Sequence, residues 1–460
     1  MSRTPTRRAG GAERSVRSSR AWWVAGATMA ALVATAGFRS STGALLEPLE
    51  AEFGWSRTTT SGAVTLNLVV YGLTAPFAAA LMERLGVRRV AAGGLLLVAA
   101  GSGLTLVMTQ AWQLWLLWGL PVGIGTGSMA LVFGAVVANR WFVRHRGLVT
   151  GLFSAASSAG QLVFLPTIAR LAEEPGWRWA AGLVAAAALL LVPVVALVLR
   201  DRPSDVGQLP HGAPATHVDP PLDRDGPGAA RTTLVTLRQV SRSPVFWVLF
   251  GSFWICGWST NGLVGTHFIP AARDDGMPAT TSASLLALIG VFDIVGTVAS
   301  GWLTDRVDPR ALLVVYYSLR GLSLLVVPSL LGPDVAPSLF LFVVFYGLDW
   351  VATVPPTIAL CRIHFGLARS GVVFGWVFAA HMVGAGVAAS YAGWVRQATG
   401  DYQGAWLTAG ALCLVAALAC GLVPRRPRDT EPPGPSGPPG PSGPSGPSGQ
   451  AAGAGETAQL

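Results

Sequence analysis

Gly301-Trp302-Leu303-Thr304-Asp305-Arg306-Val307-Asp308-Pro309-Arg310 is a short charged stretch that closes a long apolar run, residues 281–303. A bilayer span needs about 20 mostly apolar residues, and that run supplies them. An echo lies 222 residues earlier, where Glu83-Arg84-Leu85-Gly86-Val87-Arg88-Arg89 closes the apolar run 60–81. An acid-Arg pair at the same place in two halves points to a tandem repeat. Working outward from these two stretches, windows of the same length recur along the chain. In the first half they are 22–43, 60–81, 89–109, 112–138, 147–169 and 178–199. In the second half they are 245–267, 281–303, 311–331, 336–360, 371–394 and 404–423.

Composition supports a membrane setting. The chain is 52% hydrophobic and 12% charged, whereas soluble chains are about 25% charged. So many apolar segments with so few charges do not suit the core of a soluble enzyme. The expected fold is all-α and integral to the membrane, with twelve transmembrane helices in two six-helix bundles. Tandem six-span repeats are related by an axis along the membrane normal and place a substrate path at their interface.

Arginine distribution sets the expected orientation. The chain has no lysine, so all 32 basic residues are arginine. With a cytoplasmic N-terminus, 25 of them fall in inside segments and five in outside loops. Arg39 and Arg320 remain within spans. Cytoplasmic loops carry the excess of basic residues, so both termini are expected in the cytoplasm of a bacterial inner membrane. The net charge of +9 expresses this bias and an attraction to anionic lipid, without a nucleic-acid partner.

The expected parts are a basic cytoplasmic tail (1–20), a first bundle (21–200), a cytoplasmic linker (201–244), a second bundle (245–424) and a tail (425–460). The first apolar stretch has no small-residue cleavage site, so it reads as an uncleaved span. An amphipathic surface helix is expected around Thr233 to Val240. In the last tail, Gly434, Gly437, Gly440, Gly443, Gly446 and Gly449 recur every third residue between Pro and Ser. So short a collagen-like run reads as a disordered segment. Cys256, Cys361, Cys413 and Cys420 have no metal-ligand spacing and read as small apolar groups. No cofactor or metal is expected.

The acid-Arg-x-x-x-Arg pattern after spans two and eight resembles the loop signature of the major facilitator superfamily. Ala79 and Glu83 replace the usual Gly and Asp in the first copy. Gly301, Asp305, Arg306 and Arg310 match in the second. A narrower resemblance runs from Arg140-Trp141-Phe142-Val143-Arg144-His145-Arg146-Gly147 through Thr150-Gly151 to Ala159-Gly160. It is similar to the aromatic, basic-pair, small-residue signature of the monocarboxylate porters and the related oxalate/formate antiporter. Asp293 resembles a functional acid of that family, although Thr297 stands where the family has a basic partner one turn later. The resemblance implies alternating access. It also implies a cytoplasmic latch built from Glu83, Arg84, Arg88, Arg89, Gly301, Asp305, Arg306 and Arg310, which favours the outward-facing state.

Ionisable groups at membrane depth are costly and usually face a protein-lined or watery interior. Asp293, Arg320 and Asp349 sit in three successive spans, and Arg39 and His381 in two more. Asp293 precedes Asp305 by 12 residues, which places it about 18 Å from the inner end of its helix. A carboxyl at that depth can take up a proton, because desolvation disfavours its charged form. Asp293 and Asp349 are therefore the proton-coupling candidates. Arg320 with one Asp, Asp349 in particular, is the natural intramembrane ion pair. Arg39 can grip a carboxylate with a forked pair of hydrogen bonds, or it can snorkel to the interface. His381 can donate to an anion or carry a proton. Asn67, Tyr71 and Asn261 are further lining candidates. Pro355-Pro356 bends span ten and frees a backbone carbonyl. The expected function is secondary transport of a small organic anion, monocarboxylate-like, by proton symport or anion exchange, by a chain that works as a monomer. A drug or metabolite exporter is the alternative within transport. An integral-membrane enzyme or sensor lacks a matching residue cluster or soluble output domain.

Overall fold

The computed structural model of the chain describes residues 12–172, 176–219 and 228–425. The expectations for the first residues of the N-terminal tail and for the Gly/Pro/Ser-rich tail beyond Arg425 lie outside these residues. The first half runs α1 (Ala12–Phe53), α2 (Arg57–Leu85), α3 (Val87–Thr105), α4 (Ala111–Leu114), α5 (Gly123–Ser128), α6 (Leu131–Trp141), α7 (Arg146–Leu171) and α8 (Trp177–Val198). A linker helix, α9 (Ala229–Val240), follows. The second half runs α10 (Pro244–Gly257), α11 (Gly265–Asp274), α12 (Ala279–Thr304), α13 (Pro309–Val326), α14 (Pro337–Asp349), α15 (Val354–Phe365), α16 (Leu367–Thr399) and α17 (Gln403–Gly421).

Among the described residues, 11 helical stretches are long and apolar enough to cross a membrane. The remaining passage, α10 to α11, is helical throughout but less apolar, with three tryptophans and Asn261 along it. A π-helical turn, Trp258–Val264, joins its two parts. Span four contains a similar turn, Trp115–Val122. Pro121 inside that turn has no N–H to offer the preceding ladder, and the hydrogen bonding slips to a wider period.

Two spans are broken outright. Span four stops at α5, turns through Met129 and Ala130, and resumes as α6. Span ten stops at α14, turns through 350–353, and resumes as α15. Met129 and Val351 are 222 residues apart, the interval that separates Glu83 from Asp305. The repeat is therefore structural as well as sequential.

Within the first half, α1 packs on α7 and α3 on α8. Within the second, α10 packs on α16 and α13 on α17. The halves meet where α2 packs on α16 and α7 on α12. The described ends of the chain share one face with the linker. Trp22 of α1 meets the rings of Phe142 and His211 at 5.3 and 5.9 Å, and Val423 O accepts from Arg310 Nη1 at 2.6 Å. This side is called the linker face below.

The described parts of the linker, 201–219 and 228–244, are held against the helices. Asp201 Oδ1 accepts from Arg88 N at 2.9 Å and so caps α3. His211 forms a bridge with Phe142, its N–H donating to Trp141 O at 2.8 Å. The helix expected around Thr233 to Val240 forms as α9 and begins four residues earlier, at Ala229. It buries Thr233, Thr236 and Val240 at helical spacing. Thr233 Oγ1 donates to Pro76 O of α2, and Trp376 Nε1 of α16 donates to Thr233 O, both at 3.4 Å. One helix of the linker thus touches both halves.

Candidate functional site

The seam at the linker face is built from glycine. A Cβ at Gly151 of α7 would meet Thr297 O at 2.7 Å and the Gly301 backbone at 3.0 Å. Gly147 and Gly301 likewise approach each other's backbone. Without side chains at these positions α7 and α12 can cross in contact. Asp305 at the end of α12 then accepts from Gly147 N at 2.7 Å and Leu148 N at 3.0 Å. A carboxylate there satisfies orphan N–H groups at the start of α7 and faces the positive end of its dipole. Arg146 and Arg362 bring like charge to this seam from opposite halves, and Asp305 offsets both.

The first-half echo is different. Glu83 pairs with Arg140 Nη2 at 2.8 Å, inside its own half. Arg84 lies beside Gly228, at the start of α9. Arg88 receives the Asp201 cap through its N–H, and Arg89 is exposed. Arg306, just past the end of α12, stacks on Trp302 of that helix at 4.0 Å, and Arg310 pairs with Asp308 at 2.7 Å. Among the expected latch residues, Gly301 and Asp305 are the two that reach across the seam.

The break in span ten organises the intramembrane charges. Pro355 and Pro356 lack N–H groups, so Val351 O and Ala352 O lose their usual helical donors. Val354 N turns to Val351 O at 3.0 Å, and Ser300 Oγ donates to Ala352 O at 2.5 Å. Arg320 of α13 donates through Nη2 to Asp349 O at 2.5 Å and Trp350 O at 3.0 Å. Its Nε donates to Asp349 Oδ2 at 2.6 Å, and its Nη1 lies 3.2 Å from Cys256 Sγ. Asp293 Oδ1 accepts from Val351 N at 2.9 Å and from Thr297 Oγ1 at 2.7 Å. Asp293 and Arg320 are each 1% exposed, and Asp349 is 6% exposed. Three side chains from neighbouring helices, Ser300, Arg320 and Asp293, therefore hold one interrupted helix. Gly296 and Gly347 let α12 and α14 approach backbone to backbone beside it.

A central cavity of about 90 Å³ lies between the halves. At about 30 Å³ of liquid volume per water, it holds a few waters or one small solute. Tyr71, Phe253, Trp350 and Phe378 give it aromatic walls. Thr35, Ser154, Ser157, Ser158, Thr260 and Asn261 give it polar ones. Both helix breaks reach it, through Met129–Leu131 and through Trp350 and Val351. His381 also lines it, stacked on Phe378 at 6.0 Å, with Nε2 3.3 Å from Asn261 Nδ2.

The sequence candidates thus separate. Tyr71, Asn261 and His381 face the cavity. Asp293 stands just behind its wall, with cavity-lining Ser158 beside it. Asp349 is held in the Arg320 pair and is not a lining residue. Asn67 does not line the cavity either. Its Nδ2 donates to Trp118 O at 2.8 Å, supplying a partner to the π turn. The backbone of Arg39 lies in α1, and its side chain is outside those described. The serines of α7 were not singled out from the sequence. Their signal is three hydroxyls, Ser154, Ser157 and Ser158, at helical spacing within an otherwise apolar span.

A family model, Major Facilitator Superfamily, matches residues 27–389. Monocarboxylate transporter 13 of Bos taurus is 29% identical over 357 residues, covering 77% of this chain and 77% of the relative. The MFS-type transporter YcxA of Bacillus subtilis (strain 168) is 25% identical over 378 residues, covering 81% of this chain and 87% of the relative. The transporter FucP, solved in its outward conformation, superposes with a TM-score of 0.62 at 17% identity, over 86% of this chain and 97% of that one. The human organic anion transporter MFSD10 superposes with a TM-score of 0.64 at 18% identity, over 87% and 99%. With a family model matched over most of its length and helices built to cross a membrane, this chain belongs to the Major Facilitator Superfamily and is a multi-pass integral membrane transporter, not an enzyme.

Proposed function

We propose that the chain moves a small organic anion, monocarboxylate-like, by alternating access, with proton symport or anion exchange. The observation that carries this reading is the small polar and aromatic cavity between the halves, with a buried carboxyl, Asp293, directly behind its wall. Relatives named for monocarboxylates and a structural neighbour named for organic anions support the cargo class. Among the described residues, His381 is the lining residue that can carry positive charge. Arg39 supports the same reading by position. It precedes Asn261 by 222 residues, so it occupies in span one the repeat position that Asn261 holds in span seven. The aromatic walls also favour a second reading, export of an amphipathic drug or metabolite. Span four lacks the Arg before Gly123 expected of drug/proton exporters in this superfamily.

The rocking units are the two bundles, 21–200 and 245–424. The linker face is the cytoplasmic side of a bacterial inner membrane, as the arginine bias supports, and the chain works as a monomer. The anion reading is tested at span one. Arg39→Gln is expected to weaken carboxylate binding more than Arg39→Lys, because Gln removes the charge and Lys only the fork. Competition binding with a series of carboxylates measures it. Wild-type binding in both variants would remove the case for Arg39 and for an anionic cargo.

Asp305 is the latch of the closed linker face. Asp305→Asn leaves the like charges of Arg146 and Arg362 without the carboxylate that offsets them and weakens the cap on α7. The expected result is a shift toward states open at the linker face, with transport reduced and expression near normal. Labelling of single cysteines placed on each side of the cavity reads the balance. Unchanged labelling and rate would leave Asp305 a topology charge alone.

A further inference from the structure

We infer that Asp293 acts on transport through the break in span ten: a proton taken up at Oδ2 loosens the Val351 N–H and frees Trp350 and Val351 to move in the cavity wall. This rests on the proposed role of Asp293 in proton coupling and adds the element that the proton moves.

The break has two kinds of brace. Arg320 holds the carbonyls of Asp349 and Trp350, and a guanidinium keeps its proton. Ser300 holds the carbonyl of Ala352. These braces do not change with pH. Asp293 is the exception, because its carboxylate is the acceptor for Val351 N–H. Its Oδ1 already takes two hydrogen bonds, while buried Oδ2 has no partner that meets hydrogen-bond geometry. Hydrogen bonds to an ionised acceptor are roughly twice as strong as neutral ones. When a hydronium ion or water-borne proton from the cavity forms an O–H bond at Oδ2, Oδ1 becomes a neutral carbonyl oxygen and its hold on Val351 weakens. Ionisation returns the proton to water and restores the hold. Ser158 both lines the cavity and stands beside Asp293, so it marks where that proton enters. The other ionisable groups around the break are Arg320, Tyr316 and Tyr317 on α13, Asp349 and Tyr346 on α14, Cys256 on α10, Cys413 on α17 and His381 on α16.

Two comparisons within the chain single out this break. The first-half break at Met129 and Ala130 has no carboxyl, serine or arginine in the repeat-related places. Tyr71, Ala78 and Val98 stand where the second half has Asp293, Ser300 and Arg320. The residue one turn after the acid also takes on meaning. Thr297, in place of a basic partner, donates its hydroxyl to Asp293 Oδ1 and leaves the carboxylate free to hold a backbone N–H as well.

Hydrogen exchange of the full chain in lipid nanodiscs, read by mass spectrometry on peptides covering 346–357 and corrected for the intrinsic effect of pH, tests this. Wild type is expected to exchange at Val351 about fivefold faster at acidic than at neutral pH, as weakening a charged to a neutral hydrogen bond implies. Asp293→Asn is expected to show the fast rate at both pH values. Thr297→Val, which removes one donor to the carboxylate, is expected to move the midpoint of the exchange profile to higher pH, and it carries the test should Asp293→Asn fold poorly. Exchange at 350–352 that ignores pH in wild type, or an unmoved midpoint in Thr297→Val, would overturn the inference. Proton-driven uptake measured on the same proteins keeps two failures apart. Lost accumulation with unchanged exchange rejects the moving break and keeps the coupling role. Retained accumulation in Asp293→Asn rejects the coupling role itself.

Discussion

Arg320→Gln is expected to destabilise the protein by about 3–5 kcal/mol, the usual cost of removing one partner from a buried ion pair. The reason goes beyond the pair. Arg320 is 1% exposed and holds Asp349 Oδ2, Asp349 O and Trp350 O together. Its loss strands the Asp349 carboxylate and the Trp350 carbonyl in a low-dielectric interior and leaves Asp349 O with Ala352 N alone, at a break that Pro355 and Pro356 keep from closing. Adding Asp349→Asn removes the stranded charge, so the double variant should recover part of the loss. It should not recover all of it, because the Trp350 carbonyl still lacks the guanidinium donor. Arg320→Lys should fall between wild type and Arg320→Gln, since a single ammonium cannot reproduce the fork. Melting in detergent, monitored by size-exclusion chromatography, ranks the four proteins. A double variant no more stable than Arg320→Gln would show that the carbonyl contacts, not the ion pair, carry the stability.

Asp293→Asn is expected to abolish accumulation of cargo driven by a pH gradient while leaving exchange of internal for external cargo in part. The amide keeps the size of the carboxyl and a neutral acceptor for Val351 N–H, so the chain stays in the protonated-like state. With Arg320 paired to Asp349 rather than to Asp293, this substitution strands no cation, and its effect on melting should be much smaller than that of Arg320→Gln. Uptake of labelled carboxylate with and without an imposed gradient, beside counterflow exchange, measures both activities. A stable Asp293→Asn protein that still concentrates its cargo would end the coupling proposal.

The contrast between these two acids shows how far the sequence could be read. Apolar windows and the repeated acid-Arg stretch were enough for an all-α membrane fold, because the length and hydropathy of a span are properties of one segment. Pro355-Pro356 announced the break in span ten for the same local reason. The first-half break was not legible, since Met129-Ala130 contains no proline and is recognised only through the interval to Val351. Which acid Arg320 takes could not be read from depth alone, because Asp293 and Asp349 both lie deep in their spans. The carbonyls of Asp349 and Trp350 at the break draw the guanidinium to the end of α14. Asp293 has a backbone N–H as its partner, and side-chain patterns carry no trace of such a group. Asn67 looked like a cavity residue because it is polar and within a span, yet its amide serves the Trp118 carbonyl of the π turn. Tyr71 and His381 reach the cavity because α2 and α16 meet at the seam between the halves, and Asn261 lines it from the π turn of span seven.

Transport of an organic anion coupled to protons is tested most directly in proteoliposomes holding the purified full chain. Radiolabelled monocarboxylates, each with and without an inward proton gradient, are offered singly, beside a neutral sugar and a lipophilic cation. The expected result is saturable uptake of at least one monocarboxylate that exceeds equilibrium only when the gradient is imposed and that collapses in Asp293→Asn. Uptake of the cation or the sugar alone, or carboxylate uptake that neither a gradient nor internal anion stimulates, would contradict it.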